Sequence, residues 1–125
     1  MRVQYYHNPA CSKSRQGLAA LQARGIEVEL VAYLQQPPSV EELDRLLQRL
    51  GMDDPRQLMR QQEAEYSELG LADATLSRQH LLAAMVAHPR LIERPIVVCG
   101  EQALLARPSE RLDPWLDALA GVSAA

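Results

Sequence analysis

The chain has 125 residues, 47% of them hydrophobic and 23% charged, enough for one domain with a sizeable core. A net charge of −3 argues against a partner bound through bulk positive charge, so neither nucleic acid nor a membrane surface is expected, and no apolar run reaches transmembrane length. With no Phe and one Trp, aliphatic side chains must fill the core.

Residues 3–6 are a short apolar run that predicts a first strand. It is far too short for the apolar core of a signal peptide, so a cytoplasmic location is expected. Asn8-Pro9 is a turn signal, and a helix follows from about Ser12 to Arg24, with Leu18 and Leu21 on one face and Gly25 as its stop. Cys11 therefore stands in the turn between strand and helix. There it meets the positive end of the helix dipole and unpaired backbone N–H groups, which favour a thiolate and can also cradle an oxyanion. Lys13, Arg15 and His7 are expected to add positive charge nearby. A lone cysteine is usually buried and inert, but the polar and basic neighbours of Cys11 disfavour burial. We read this stretch as a nucleophilic thiolate in an anion site.

Residues 26–31 alternate apolar and charged side chains, predicting a half-exposed second strand parallel to the first. Ser39-Val40-Glu41-Glu42 is a capping box that opens a helix with Leu43, Leu46, Leu47 and Leu50, stopped by Gly51. Asp53-Asp54-Pro55 restarts a short helix toward Arg60, another runs from Glu63 to Leu69, and Ser77 caps one that stops at His88-Pro89. Residues 39–88 thus form a helical insert within a single domain spanning residues 1–125. Residues 95–99 predict a β-branched strand that Gly100-Glu101 turns back into residues 103–106, an antiparallel hairpin. Pro108-Ser109 opens a last helix carrying Leu112, Trp115, Leu116 and Leu119, and residues 121–125 read as a frayed tail. The order β-α-β, helical insert, β-β-α predicts an α/β, thioredoxin-like fold with a mixed four-stranded sheet and the active thiol at the start of the first helix.

Arg94-Pro95 stands directly before the third strand. Thioredoxin-like folds commonly carry a cis proline at this junction, so Pro95 is the candidate, with a trans proline opening the strand as the alternative. Arg60, Arg94 and Arg107 lie at element boundaries and could bind one tetrahedral oxyanion through bidentate guanidinium groups. Spacing alone does not choose between Arg56 and Arg60, or between Arg90 and Arg94.

The stretch His7-Asn8-Pro9-Ala10-Cys11-Ser12-Lys13-Ser14-Arg15 resembles the active-site signature of the glutaredoxin-coupled arsenate reductase family. Tyr33-Leu34 with Pro37-Pro38-Ser39 matches that family's next block, as do Glu65-Tyr66 with Leu69-Gly70-Leu71, and His88-Pro89 with Leu91-Ile92. Arg94-Pro95-Ile96-Val97-Val98 and Arg107-Pro108-Ser109-Glu110 complete the series, so the resemblance covers nearly the whole chain. It implies that Cys11 is the nucleophile and that Arg60, Arg94 and Arg107 bind arsenate. It further implies that His7, Asn8, Ser14 and Arg15 support the thiolate. The family's long C-terminal extension is missing, which suggests a short, chromosomal-type member.

As the resemblance implies, Cys11 attacks arsenic, glutathione forms a mixed adduct, glutaredoxin supplies the next thiol and arsenite leaves. Glutathione is then a co-substrate, no bound cofactor or metal is required, and a monomer is the default expectation. Cys99 is an improbable resolving thiol. It lies about 13 Å along its strand from the active-site end, whereas a disulfide needs Cα atoms within about 7 Å, so a buried core thiol is expected. A phosphatase-type loop needs Arg six positions after the cysteine, where this chain has Gly17. A dithiol redox centre needs Cys where it has Ser14. The alternatives left are a glutathione-dependent thiol reductase with another substrate, and an RNA-polymerase-binding regulator of the same superfamily.

Overall fold

A computed structural model describes residues 1–124, with side chains through residue 121. The chain forms two compact units. One joins Met1–Val31 to the segment from Arg94 onward, and the other is Ala32–Glu93. The inserted unit is thus wider at both ends than the 39–88 read from helix periodicity.

In the first unit, β1 (Arg2–Tyr6), α1 (Ser12–Ala23) and β2 (Glu27–Val31) are followed, after the insert, by β3 (Ile96–Cys99), β4 (Gln102–Leu105) and α5 (Leu112–Ala124). The sheet order is β2-β1-β3-β4. As expected, β1 and β2 are parallel, with Arg2 opposite Glu27, and β3–β4 is an antiparallel hairpin pairing Ile96 with Leu105. β1 and β3 are antiparallel and pair Tyr6 with Ile96. β2 is an edge strand, which explains its alternating charge: Glu27 and Glu29 face solvent while Val28 and Val31 are half-buried. Val3, Tyr5, Leu21, Val97, Leu104, Leu112 and Leu116 form the core of this unit. Here α1 and α5 each contribute an apolar face to the sheet. Gly25, at φ 71°, ends α1 in the left-handed conformation that glycine tolerates best.

This register has a consequence for chemistry. Because Tyr6 pairs with Ile96 and Ile96 with Leu105, the end of β1, the start of β3 and the end of β4 lie at one edge of the sheet. The Cys11 turn, Arg94 and Arg107 leave from that same edge. Cys99 pairs with Gln102 at the opposite end, where it is half-buried and packed against the core as a free thiol.

The second unit contains α2 (Val40–Leu50), α3 (Ala64–Glu68) and α4 (Arg78–Ala87). Ser39 caps α2 by accepting from the Glu42 N–H at 3.1 Å, while the Glu42 carboxylate takes the Ser39 hydroxyl rather than closing the expected reciprocal box. A complete capping box forms instead at Asp54 and Gln57. The helix expected from Asp53 toward Arg60 is one 3-10 turn, Pro55–Leu58. It stops because the backbone at Met59 pairs with Ile92, flanked by the Arg60 N–H on the Leu91 carbonyl and the Glu93 N–H on the Leu58 carbonyl, both at 2.7 Å. Those groups would otherwise continue a helix.

Two further boundaries differ from the sequence reading. A 3-10 turn, Ser109–Arg111, precedes α5, and α5 continues to Ala124 where a frayed tail was expected; Ala125 lies outside the described residues. Among the described residues no helix is long and apolar enough to cross a membrane.

Candidate active site

Cys11 is the N-cap of α1, with extended backbone at φ −94° and ψ 122°. The turn that delivers it is held by its own polar groups. The Cys11 N–H donates to the Asn8 carbonyl at 3.0 Å, and the Ala10 N–H donates to Asn8 Oδ1 at 3.0 Å. Asn8 therefore shapes the turn from both its main chain and its side chain. Arg15 reaches back one helical turn and donates Nη1 to the Pro9 carbonyl at 2.8 Å. Its guanidinium clamps the loop rather than facing the sulfur.

Ser14 is fully buried in the first turn of α1. Its Oγ accepts the Asn8 N–H at 3.0 Å and lies 2.7 Å from His7 Nδ1, and its carbonyl accepts the Tyr5 hydroxyl at 2.6 Å. The residue after β1 and the loop beyond it are thus sewn to the helix that carries Cys11. His7 was expected to add positive charge; burial first, and the Arg15 charge second, push its pKa below the ordinary histidine value. The neutral imidazole is thereby favoured, and its Nδ1 shares a hydrogen bond with the Ser14 hydroxyl. His7 is a hydrogen-bond partner here, and the cation is supplied elsewhere.

That cation is Arg94, a charged side chain only 8% exposed. Burial pushes the Cys11 thiol up, but four influences together more than offset it: the Ser14 backbone N–H, the Arg94 charge, the Lys13 backbone N–H and an Arg94 guanidinium hydrogen bond. The thiol pKa falls below its usual value. Cys11 makes no side-chain capping bond, so the two N–H groups act on it as part of the helix-terminus dipole. Lys13 acts through its main chain, and its side chain is exposed.

Arg94-Pro95 is cis, which resolves the alternative left open by sequence, and Arg107-Pro108 is cis as well. The Ala106 N–H donates to the Pro95 carbonyl at 3.0 Å and Arg107 Nη1 reaches the Arg94 carbonyl at 3.4 Å, so the two junctions lie side by side. Arg107 itself is exposed. Cys11, His7, Asn8, Ser14, Arg15, Arg94, Pro95 and Arg107 all belong to the first unit. Arg60 belongs to the second, where its Nη1 pairs with Glu63 Oε1 at 2.6 Å and Arg90 approaches the same carboxylate at 3.6 Å. Arg56, its rival by spacing, is committed to the Leu71 and Asp73 carbonyls and to Asp54.

The family model for the ArsC family matches residues 6–114. The chain belongs to the ArsC family. A relative in Escherichia coli K12, named uncharacterized protein YfgD, is 50% identical over 111 residues, covering 89% of this chain and 93% of its own. An arsenate reductase of Haemophilus influenzae is 46% identical over 110 residues, covering 88% and 95%. A solved structure, arsenate reductase from Vibrio cholerae, superposes with a TM-score of 0.87 at 54% identity and covers 90% of this chain and 95% of that one. The thioredoxin-like α/β fold expected from element order is thereby the fold of this ArsC protein.

Sequence reasoning passed over Tyr5 and treated Gly17 only as a missing arginine. A glycine inside a helix was the available signal, since glycine is poorly suited to that position without a close approach to explain it.

Proposed function

We propose that this ArsC-family protein reduces arsenate to arsenite through the Cys11 thiolate, with glutathione and glutaredoxin as external thiols. The observation that carries the reading is the buried Arg94 guanidinium acting on a cysteine at a helix N-terminus, in a chain similar to proteins named arsenate reductase. The thiolate attacks As(V) and one oxygen leaves as water. Glutathione displaces a second oxygen, again as water, to give a Cys11–As–glutathione adduct. A glutaredoxin thiolate then attacks the glutathione sulfur. The S–As bond breaks, its electron pair reduces arsenic to As(III), and a glutaredoxin–glutathione disulfide forms. Water displaces arsenite from Cys11 and regenerates the thiol. Two external thiols thus supply two electrons.

In this reading Arg94 and Arg107 neutralise the oxyanion, while preorganised N–H groups at the α1 terminus add to that field. Arg60 is the third arginine by resemblance. Replacing it with alanine is expected to raise KM for arsenate about tenfold, the scale of one charged hydrogen bond, and to leave the pH profile of Cys11 alkylation unmoved. Steady-state kinetics and iodoacetamide labelling check the two halves. The reading also implies a cytoplasmic monomer whose only protein partner in turnover is glutaredoxin.

The deciding experiment measures arsenite formed from arsenate, glutathione and glutaredoxin. Turnover requiring all three components supports the proposal. No turnover, with Cys11 alkylating as a low-pKa thiol, transfers the same nucleophile to a different substrate and overturns the arsenate assignment.

A further inference from the structure

α1 meets β1 at a contact that the proposed chemistry leaves unused. Gly17 lies within α1, where glycine is among the least favourable residues. A Cβ built there would collide with the Tyr5 hydroxyl oxygen, and would sit 3.3 Å from Tyr5 Cζ and 3.5 Å from Pro95 Cγ. Tyr5 is fully buried among core side chains, so its ring has no room to swing aside. Its hydroxyl is also committed, donating to the Ser14 carbonyl at 2.6 Å. Ser14 lies in the first turn of α1, behind the Cys11 N-cap; its N–H is among the groups that favour the Cys11 thiolate, and its hydroxyl oxygen is held by His7 and Asn8.

We propose that Tyr5 and Gly17 form a matched positioning pair: the missing Cβ of Gly17 admits the Tyr5 hydroxyl, which pins the Ser14 carbonyl and so fixes the first turn of α1 behind its N-cap, Cys11. The proposal rests on the reading of Cys11 as nucleophile. Tyr5 touches neither substrate nor sulfur in this role and acts through Ser14. Burial above all keeps its phenol protonated far beyond neutral pH, so it remains a donor. Among the described residues, the charged and titratable groups around the turn include Arg94 acting on the thiol, Arg107 on the Arg94 carbonyl, Arg15 on the Pro9 carbonyl, His7 on Ser14 and the exposed Lys13. Changing Tyr5 or Gly17 alters none of them chemically.

The test compares wild type, Tyr5→Phe, Gly17→Ala and the double variant in the full chain. The rate of iodoacetamide labelling is followed from pH 4 to 10 on the peptide containing Cys11, with thermal melting recorded alongside. Tyr5→Phe is expected to slow labelling at neutral pH by about three- to tenfold and to move its pH profile upward, as loss of one aligned dipole would do. Gly17→Ala is expected to do at least as much alone. Added to Tyr5→Phe it should cost much less than it does alone, because the collision with the hydroxyl is gone and only the 3.3 Å approach to the ring carbon Cζ remains. A Tyr5→Phe profile that overlays wild type overturns the proposal, as does an equal Gly17→Ala loss in both backgrounds. If Gly17→Ala does not fold, the Tyr5→Phe profile alone decides. If wild-type Cys11 labels like an ordinary thiol, the nucleophile reading itself fails, an outcome distinct from a variant that fails to shift.

Discussion

Cys11→Ser is expected to reduce arsenate turnover by at least about 1000-fold, corresponding to some 4 kcal/mol of barrier. The serine hydroxyl would occupy the same N-cap, facing the same Lys13 and Ser14 N–H groups and the same Arg94. Those influences stabilise an anion that the thiol can form near neutral pH, but none of them is a base that could deprotonate a hydroxyl in its place. The change should leave folding intact. Cys11 is only half-buried and makes no short capping bond, and serine is a good N-cap, so a melting temperature within about 2 °C of wild type is expected. Turnover retained in Cys11→Ser would remove the covalent step from the mechanism. Cys99 offers no substitute, since it lies at the opposite end of β3 from the Cys11 turn.

Arg94 is the second position of large effect. Arg94→Ala is expected to lower kcat/KM for arsenate by about 100- to 1000-fold, the range seen when one preorganised donor is removed from an anion site. It should also raise the Cys11 thiol pKa, because it removes both the Arg94 charge and its hydrogen bond while burial remains. The same change appears in stability against pH. In wild type the folded thiol pKa lies below its unfolded value. The thiolate's contribution to stability is therefore fully present above that unfolded value and is lost as pH falls through the folded pKa. Arg94→Ala should narrow this window, so denaturant melts between pH 5 and 9 would show a flatter slope. A side chain this buried also leaves a cavity when truncated, so Arg94→Lys is the sharper probe. Lysine keeps the charge and most of the stem but not the planar fork. It should preserve much of the thiol pKa while still losing roughly tenfold or more in kcat/KM. Equal turnover in Arg94→Lys and wild type would show that charge alone suffices.

Much of this protein was legible from short stretches of sequence. The α1 start at Ser12, the Ser39 and Ser77 caps and the Gly51 and Gly100 turns depend on residues within one or two helical turns of each other. The parallel β1–β2 pair followed from a crossover helix, and the β3–β4 hairpin from Gly100-Glu101. Local reasoning failed where a distant partner intervened. The Asp53–Arg60 stretch looked helical, but the Met59 backbone is claimed by Ile92. His7 looked like a cation from its place beside Lys13 and Arg15. Burial and the Arg15 charge lower its pKa, and its ring is hydrogen-bonded to Ser14.

By itself the sequence determined where the Cys11 thiol stands, because a thiol between a strand and a helix start meets a dipole that any helix creates. It also determined the family, through ordered blocks spread along the chain. Only the tertiary structure decided which cation serves that thiol. Lys13 and Arg15 are near Cys11 in sequence, yet Arg15 turns back to Pro9 and the Lys13 side chain faces solvent, while Arg94 arrives because β3 pairs beside β1 with Ile96 opposite Tyr6. The fit of Tyr5 into the gap at Gly17 was likewise decided by how α1 packs on β1. Helix periodicity and capping are set by neighbours along the chain, whereas the field at a buried atom and the room beside it are set by whatever folding brings within a few ångströms.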